Sequence, residues 1–262
     1  PAPRYIDWGS PNALTWSTIN SSTVVDNKLV NIHSIGHMNF DLDCGTDHIV
    51  TGQTSHDSNE VGRILKEGYG LGVSLATSPG RWETQEEIQA DLPLRFSRGS
   101  IAYIQMAISH ASCERALNYL QEYKSKNLDQ IYGGLQSRPR YQEGAGCSAF
   151  TESVMEVAGV MAPEWVQSWQ HHVNMPTQLI GGPMTGRRVP LSELLFGIDS
   201  LSWASSDKDS YPLTFWDPYK VYKWIKAAAQ RKLPLTGMTY TPVKNKKAYG
   251  VVIDASNLPT PT

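Results

Sequence analysis

Residues 144–159, GAGCSAFTESVMEVAG, combine a glycine-rich turn with a predicted helix that has a cysteine at its start. Glycine lacks a Cβ atom, so the Gly-Ala-Gly segment can turn sharply before Cys147. Gly159 is typical of a helix C-terminus, and Pro163 cannot continue the helix. Apolar side chains recur between them at the spacing of one helical face, namely Phe150, Val154, Val157 and Ala158. The pattern therefore predicts a helix that begins at Cys147.

A thiol in the first turn of a helix has distinctive chemistry. The positive end of the helix dipole and the free backbone N–H groups favour the thiolate of Cys147 and lower its pKa. The same N–H groups can stabilise an oxyanion that forms when the thiolate attacks a carbonyl. A small core residue at a helix start is the alternative, but the preceding glycines and the following Ser148 are poor choices for a core. Cys147 is therefore a candidate nucleophile.

Upstream, residues 29–43 (LVNIHSIGHMNFDLD) predict a half-buried strand, because apolar and polar side chains alternate in their second half. The CGTD segment that follows supplies a turn, and HIVTGQT predicts the returning strand of a hairpin. The apolar side carries Met38, Phe40 and Leu42, and the polar side carries His37, Asn39, Asp41 and Asp43.

A thiolate nucleophile needs an imidazole that acts as base and acid, and the chain has seven histidines. His37 follows Gly36 on the polar side of the alternating strand and is the first candidate. His33 lies four residues earlier, on the same side of the predicted strand, and is the alternative. We interpret His110 as structural, and His171 with its neighbour His172 as structural or as residues at the edge of a substrate.

Composition and charge exclude several classes of function. The chain has 262 residues, of which 40% are hydrophobic, and this is enough to bury a sizeable core. A formal net charge of -2 leaves no basic excess for nucleic acid. No apolar run approaches the roughly 20 residues that span a bilayer. No metal-ligand spacing and no nucleotide fingerprint is found, so we expect neither a metal nor a cofactor.

Three cysteines constrain the redox chemistry. Cys44 and Cys113 could pair and leave Cys147 as a free reactive thiol. Three reduced, buried cysteines in a cytosolic protein are the alternative. Because the chain does not begin with Met, we expect an exported protein, periplasmic or extracellular, whose leader is not present here.

We divide the chain into three parts. Residues 1–28 are polar and rich in turns, and we expect them to wrap the surface. Residues 29–163 are the expected catalytic core, and residues 164–262 are the expected C-terminal extension packed on it. Further elements predicted from the hydrophobic pattern are a strand at 101–112, a helix at 113–127, a helix at 217–230 and a strand at 248–254.

The order of these pieces resembles the circularly permuted branch of the NlpC-type papain-like cysteine hydrolases. In ordinary members the cysteine precedes the histidine, whereas in the permuted branch the histidine comes first, as it does here. The resemblance spans roughly residues 30–160 and implies an α+β, papain-like fold in which an antiparallel sheet packs against helices. The matching segments are IGHMNFDL at 35–42, IVTGQT at 49–54, IAYIQMAISHASCERALNYLQEY at 101–123 and GCSAFTESVMEVAG at 146–159.

The resemblance implies Cys147 as nucleophile, His37 as base and a third polar residue on the neighbouring strand that orients the imidazole. Folding the hairpin back places Gln53 opposite His37, and Gln53 is the residue that we predict for this role. His48 and Thr51 are the alternatives if the strand register differs. Tyr141, six residues before Cys147, is the candidate for lining the substrate cleft, with packing inside its own loop as the alternative.

Three functions are compatible with these residues. The first is a cysteine peptidase or amidase that cleaves a peptide-like substrate, such as a cell-wall peptide, through an acyl-enzyme. The second is a lipid acyl hydrolase or acyltransferase with the same nucleophile. The third is a binding module that kept the fold without catalysis. We expect the first, and the sequence predicts no oligomeric state.

Overall fold

The computed structural model describes residues 6–25, 28–31, 36–56, 62–205, 209–231, 233–245 and 247–259. Within these ranges the protein is a mixed α and β structure with seven α-helices and several antiparallel sheets. None of its helices there combines the length and apolar character that a bilayer crossing needs. The helices are α1 (Pro11–Ser21), α2 (Gln85–Ser97), α3 (His110–Ser125), α4 (Cys147–Ala158), α5 (Pro163–Trp169), α6 (Leu191–Phe196) and α7 (Pro218–Gln230).

The strands are β1 (Ser22–Val25), β2 (Lys28–Asn31), β3 (Phe40–Asp43), β4 (His48–Thr51), β5 (Gln53–Ser55), β6 (Thr77–Trp82), β7 (Ile101–Ile108), β8 (Ile131–Gly133), β9 (Gln170–Pro176), β10 (Ser210–Trp216), β11 (Tyr240–Lys244) and β12 (Ala248–Ala255). Within the described ranges they form small sheets rather than one continuous sheet. Antiparallel pairs join β1 to β2, β3 to β4 and β9 to β10, and β6 lies between β5 and β8. In the remaining sheet β12 pairs antiparallel with β11 and parallel with β7, and this parallel pair is not part of the expected antiparallel sheet.

The predicted hairpin is present as β3 and β4, with Phe40 opposite Thr51. Leu42 is buried while Asp41 and Asp43 are exposed, which confirms the alternation in this part of the predicted strand. Residues 36–39 precede β3 and have no regular secondary structure, and residues 32–35 with His33 lie outside the described ranges.

Helix α4 begins at Cys147 and is followed by Gly159 in a left-handed conformation, as the sequence predicts. Phe150, Val154 and Ala158 are buried, so the predicted apolar face lies in the core, although Val157 is only half-buried. Helix α3 packs against this helix. Tyr119 of α3 contributes a hydroxyl that lies 2.9 Å from the hydroxyl of Ser153.

Two hydrophobic cores organise the structure. The first collects side chains from α3, α4, α5, α7, β7 and β12, with stacked Trp165 and Trp169 among its largest members. The second is smaller and joins Trp8 and Leu14 of the N-terminal region to β9, β10 and α6. Residues on both sides of position 163 therefore share the first core. The three-part division of the chain stays a prediction, but the packing of the C-terminal part is extensive.

A disulfide joins Cys44 to Cys113, which is the first of the two alternatives that the sequence leaves open. It joins the end of β3 to the first turn of α3 and closes a loop with a sequence separation of 69. In the chain-entropy description, a bridge across a loop of this length stabilises the fold by about 4 kcal/mol. The bridge also connects the segment that carries His37 to the helix that packs on α4.

Candidate active site

Cys147 occupies the first position of α4, where the sequence predicts it. Gly146 is the N-cap residue, with φ −77° and ψ 169°, and no side chain caps this helix. The N–H groups of the first turn are therefore free of a capping oxygen. Cys147 is 7% exposed and is the cysteine left outside the disulfide. A buried thiol thus lies at the positive end of a helix dipole.

The two glycines before Cys147 differ in whether a larger residue could take their place. Gly144 has φ +75°, and a Cβ atom there would lie 2.6 Å from Cβ of Ile131, so this turn needs glycine. Gly146 has an extended backbone, and a Cβ atom there would meet no atom within 4 Å. Open space therefore adjoins the backbone of Gly146, the residue before the thiol.

The His37 imidazole lies against the Cys147 thiol. Its ring forms a hydrogen bond with the Cys147 side chain, and its Nε2 lies 2.5 Å from Oε2 of Glu83. Because Nε2 faces Glu83, Nδ1 is the ring nitrogen left for the sulfur. The backbone N–H of Met38, the next residue, also donates to the sulfur. The side chains of His37 and Glu83 are 20% and 17% exposed, so water has limited access to the pair.

Two hydrogen bonds fix the backbone of Glu83 to the end of the hairpin. Its N–H donates to the carbonyl of Gly52 at 2.8 Å, and its own carbonyl accepts from the Thr51 hydroxyl at 2.9 Å. Thr84 follows as the N-cap of α2 and forms a capping box with Glu87. The end of the hairpin and the start of α2 therefore hold the carboxylate against the imidazole.

The charges of the site stabilise one another. Burial of His37 acts to lower its pKa, but the Cys147 thiolate, together with the Glu83 carboxylate, raises this pKa to about 10. Burial likewise acts to raise the pKa of the Cys147 thiol, yet the His37 imidazolium and the Met38 N–H lower it overall. The resting form favoured by this geometry is a thiolate–imidazolium pair.

The predicted role of Gln53 is wrong. Its side-chain nitrogen donates to the carbonyls of Asp129 and Ile131, at 2.6 and 3.2 Å, and the residue is fully buried. The prediction assumed that the register of β3 and β4 continues past Thr51. Gly52 instead ends that ladder, and Gln53 pairs with Trp82 in a different sheet.

The two alternatives for the third residue also act elsewhere. His48 pairs with Asp41 on the exposed face of the hairpin, at 2.8 Å. Thr51 contacts the backbone of Glu83 rather than the imidazole, so its contribution is to hold the carboxylate in place. The carboxylate that contacts the His37 ring is that of Glu83, which the sequence analysis does not select.

Tyr141 lies in a short 3-10 helix and is 70% exposed. The Arg138 guanidinium lies over its ring, 4.6 Å from the centroid, and Arg138 also binds Glu143. Residues close to Tyr141 in sequence line a cavity of about 430 Å³. Its lining residues are Gln136, Ser137, Arg138, Glu143 and Tyr211. These contacts fit the alternative of packing inside the loop, and a substrate role for Tyr141 stays a prediction.

Comparison of the chain with known protein families, with curated proteins and with solved structures found no match.

Replacement of Glu83 by Gln is expected to lower the reactivity of Cys147 toward a neutral alkylating reagent at neutral pH. A hydrogen bond to a charged group contributes about 1.5–3 kcal/mol, so the expected fall is about 10- to 100-fold. The measurement is the rate of iodoacetamide labelling of Cys147. Glu86→Gln, which removes an exposed carboxylate three residues further on, is the control, and it should leave the rate unchanged. An unchanged rate in Glu83→Gln would show that Glu83 does not support the imidazolium.

Proposed function

We propose that the protein is a cysteine hydrolase with a papain-like arrangement of the permuted NlpC type. The observation that carries the proposal is the convergence of Cys147, His37 and Glu83 from three separate parts of the chain. A nucleophile, a base and a residue that orients the base are the three parts of a hydrolytic triad. Gln53 has no part in this proposal.

The proposed reaction begins with the thiolate of Cys147 attacking the carbonyl carbon of an amide. The N–H groups at the start of α4 stabilise the resulting oxyanion. His37, as imidazolium, gives its proton to the leaving nitrogen as the C–N bond breaks, which leaves an acyl group on sulfur. His37, now neutral, takes a proton from water, and the hydroxide attacks the thioester. The carboxylic acid leaves, and the thiolate–imidazolium pair is restored.

Peptide-like amides are the proposed substrates, and cell-wall peptides are one class that such a hydrolase can cleave. The disulfide supports a location in an oxidising compartment, periplasmic or extracellular, since structural disulfides persist there. Hydrolysis or transfer of a lipid acyl group is the second candidate, because a thiolate with an oxyanion site attacks esters and thioesters as well. Comparing the turnover of amide substrates with that of ester substrates separates these two candidate functions.

Cys147 is expected to react selectively with an electrophilic thiol probe near neutral pH, because Cys44 and Cys113 are protected in the disulfide. Mass spectrometry after brief treatment should locate a single modification at Cys147. Cys147→Ala should lose both labelling and turnover while retaining its thermal unfolding midpoint to within a few degrees. Slow labelling, typical of an ordinary buried thiol, would favour a binding module without catalysis.

Substitution of Gly146 separates helix capping from catalysis. A serine at an N-cap accepts a hydrogen bond from the first turn and stabilises a helix by a few tenths of a kcal/mol relative to glycine. In Gly146→Ser that bond would occupy the N–H of Ser148 or Ala149, which belongs to the group of N–H donors proposed to bind the oxyanion, so turnover should fall by about tenfold or more. Gly146→Ala is the matched control, since its methyl group enters the same open space without accepting a hydrogen bond. Equal turnover in the two variants would argue against an oxyanion site at this helix start.

A further inference from the structure

The junction between β10 and α7, residues 216–218, contacts the residue next to each member of the Cys147–His37 pair. On one side the Ser148 hydroxyl, next to the nucleophile, donates to the Trp216 carbonyl at 2.9 Å. On the other side Gly36 packs on Pro218 so closely that a Cβ atom at Gly36 would lie 3.1 Å from Cβ of Pro218. One short segment therefore lies against the start of α4 and against the loop that carries the imidazole.

Asp217 fixes this junction from within. It is 3% exposed, and its backbone N–H donates to the Trp169 carbonyl at 2.9 Å. Its Oδ1 accepts from the Tyr219 N–H at 2.8 Å, which caps α7, and its Oδ2 lies 2.9 Å from Nε2 of His171.

The His171 ring is itself held between aromatic side chains. Its ring centroid lies 5.8 Å from that of Trp8 and 5.4 Å from that of Phe215. Trp8 and Phe215 belong to the second hydrophobic core. The junction is thereby tied to the first core through Trp169 and to the second core through His171, so both cores limit its movement.

We propose that residues 216–218 position the nucleophile against its base, with Ser148 and Asp217 as positioning residues. This inference rests on the proposed function, because it concerns the same site. Cys147 and His37 lie on different elements, and their charges stabilise each other only while the two side chains remain in contact. Residues 216–218 contact Ser148, next to Cys147, and Gly36, next to His37, and these contacts fix the distance between the sulfur and the imidazole. The C-terminal part of the chain thus contributes to the geometry of the site.

The first experiment compares Ser148→Ala with wild-type protein through the pH profile of iodoacetamide labelling of Cys147. Loss of the bond to Trp216 should move the midpoint of the profile upward and lower the labelling rate at neutral pH by about fivefold to tenfold. Ser200→Ala is the matched control, because Ser200 is buried and its hydroxyl also donates to a backbone carbonyl, that of Gly197, in another part of the fold. Its profile should equal that of the wild type.

A second variant, Asp217→Asn, tests the junction without touching α4. It keeps an oxygen that can cap α7 but removes the charge that binds His171, and the labelling rate at neutral pH should fall about threefold or more. Asp41→Asn is its control, because the Asp41–His48 pair has similar geometry, at 2.8 Å, on an exposed face. Thermal unfolding of every variant identifies any that do not fold. If Ser148→Ala does not fold, the labelling profile of Asp217→Asn alone tests the positioning role.

The outcomes distinguish the inference from the function on which it rests. A low midpoint in the wild type that rises in Ser148→Ala and Asp217→Asn supports both. A low midpoint that is unchanged in both folded variants overturns the positioning role alone. An ordinary thiol midpoint in the wild-type protein overturns the proposed function, and the positioning role with it.

Discussion

The contact between the Cys147 sulfur and the His37 ring is the interaction on which the candidate site depends. Neither group would keep its charge alone at this depth, because burial acts against the thiolate and against the imidazolium. Each charge stabilises the other, and Glu83 is a second partner for the imidazolium. A buried pair of this kind gains little net stability, since desolvation offsets the attraction. In the proposed reaction, the pair supplies a thiolate that attacks the substrate and a proton that is transferred to the leaving group.

The two residues are brought together by contacts that lie far apart in sequence. The disulfide connects the end of β3 to α3, and α3 packs on α4. The parallel pairing of β7 with β12 then joins the middle of the chain to its C-terminal part, with Ile101 opposite Ala248. The junction at residues 216–218 adds contacts from the C-terminal part of the chain to Ser148 and Gly36, the residues next to Cys147 and His37. The site is therefore a property of the whole first core, and it does not belong to the segment around Cys147 alone.

Those parts of the structure that depend on local chemistry could be predicted from the sequence. The start of α4 follows from glycine before Cys147, its end follows from Gly159, and the hairpin follows from alternation and a turn segment. Glu83 could not be predicted in its role. Its neighbours Thr84 and Glu87 do identify a helix start, but nothing in that signal says that the helix start lies against His37. The error over Gln53 has a local cause, because an assumed strand register fails at Gly52, where the hairpin ladder ends.

The most direct test is a pH titration of the His37 ring by NMR, with the resonance assigned by comparison with a His37→Gln variant. The folded-state pKa is raised, so the imidazolium should persist through neutral pH and deprotonate near pH 10. By linkage, the stability that His37 contributes is fully present below about pH 6.5, its ordinary pKa, and is lost as the pH rises through about 10. In Cys147→Ala the midpoint should fall, because the thiolate that raises it is gone. A midpoint near 6.5 in the wild-type protein, unchanged in Cys147→Ala, would contradict the thiolate–imidazolium pair and the hydrolase proposed from it.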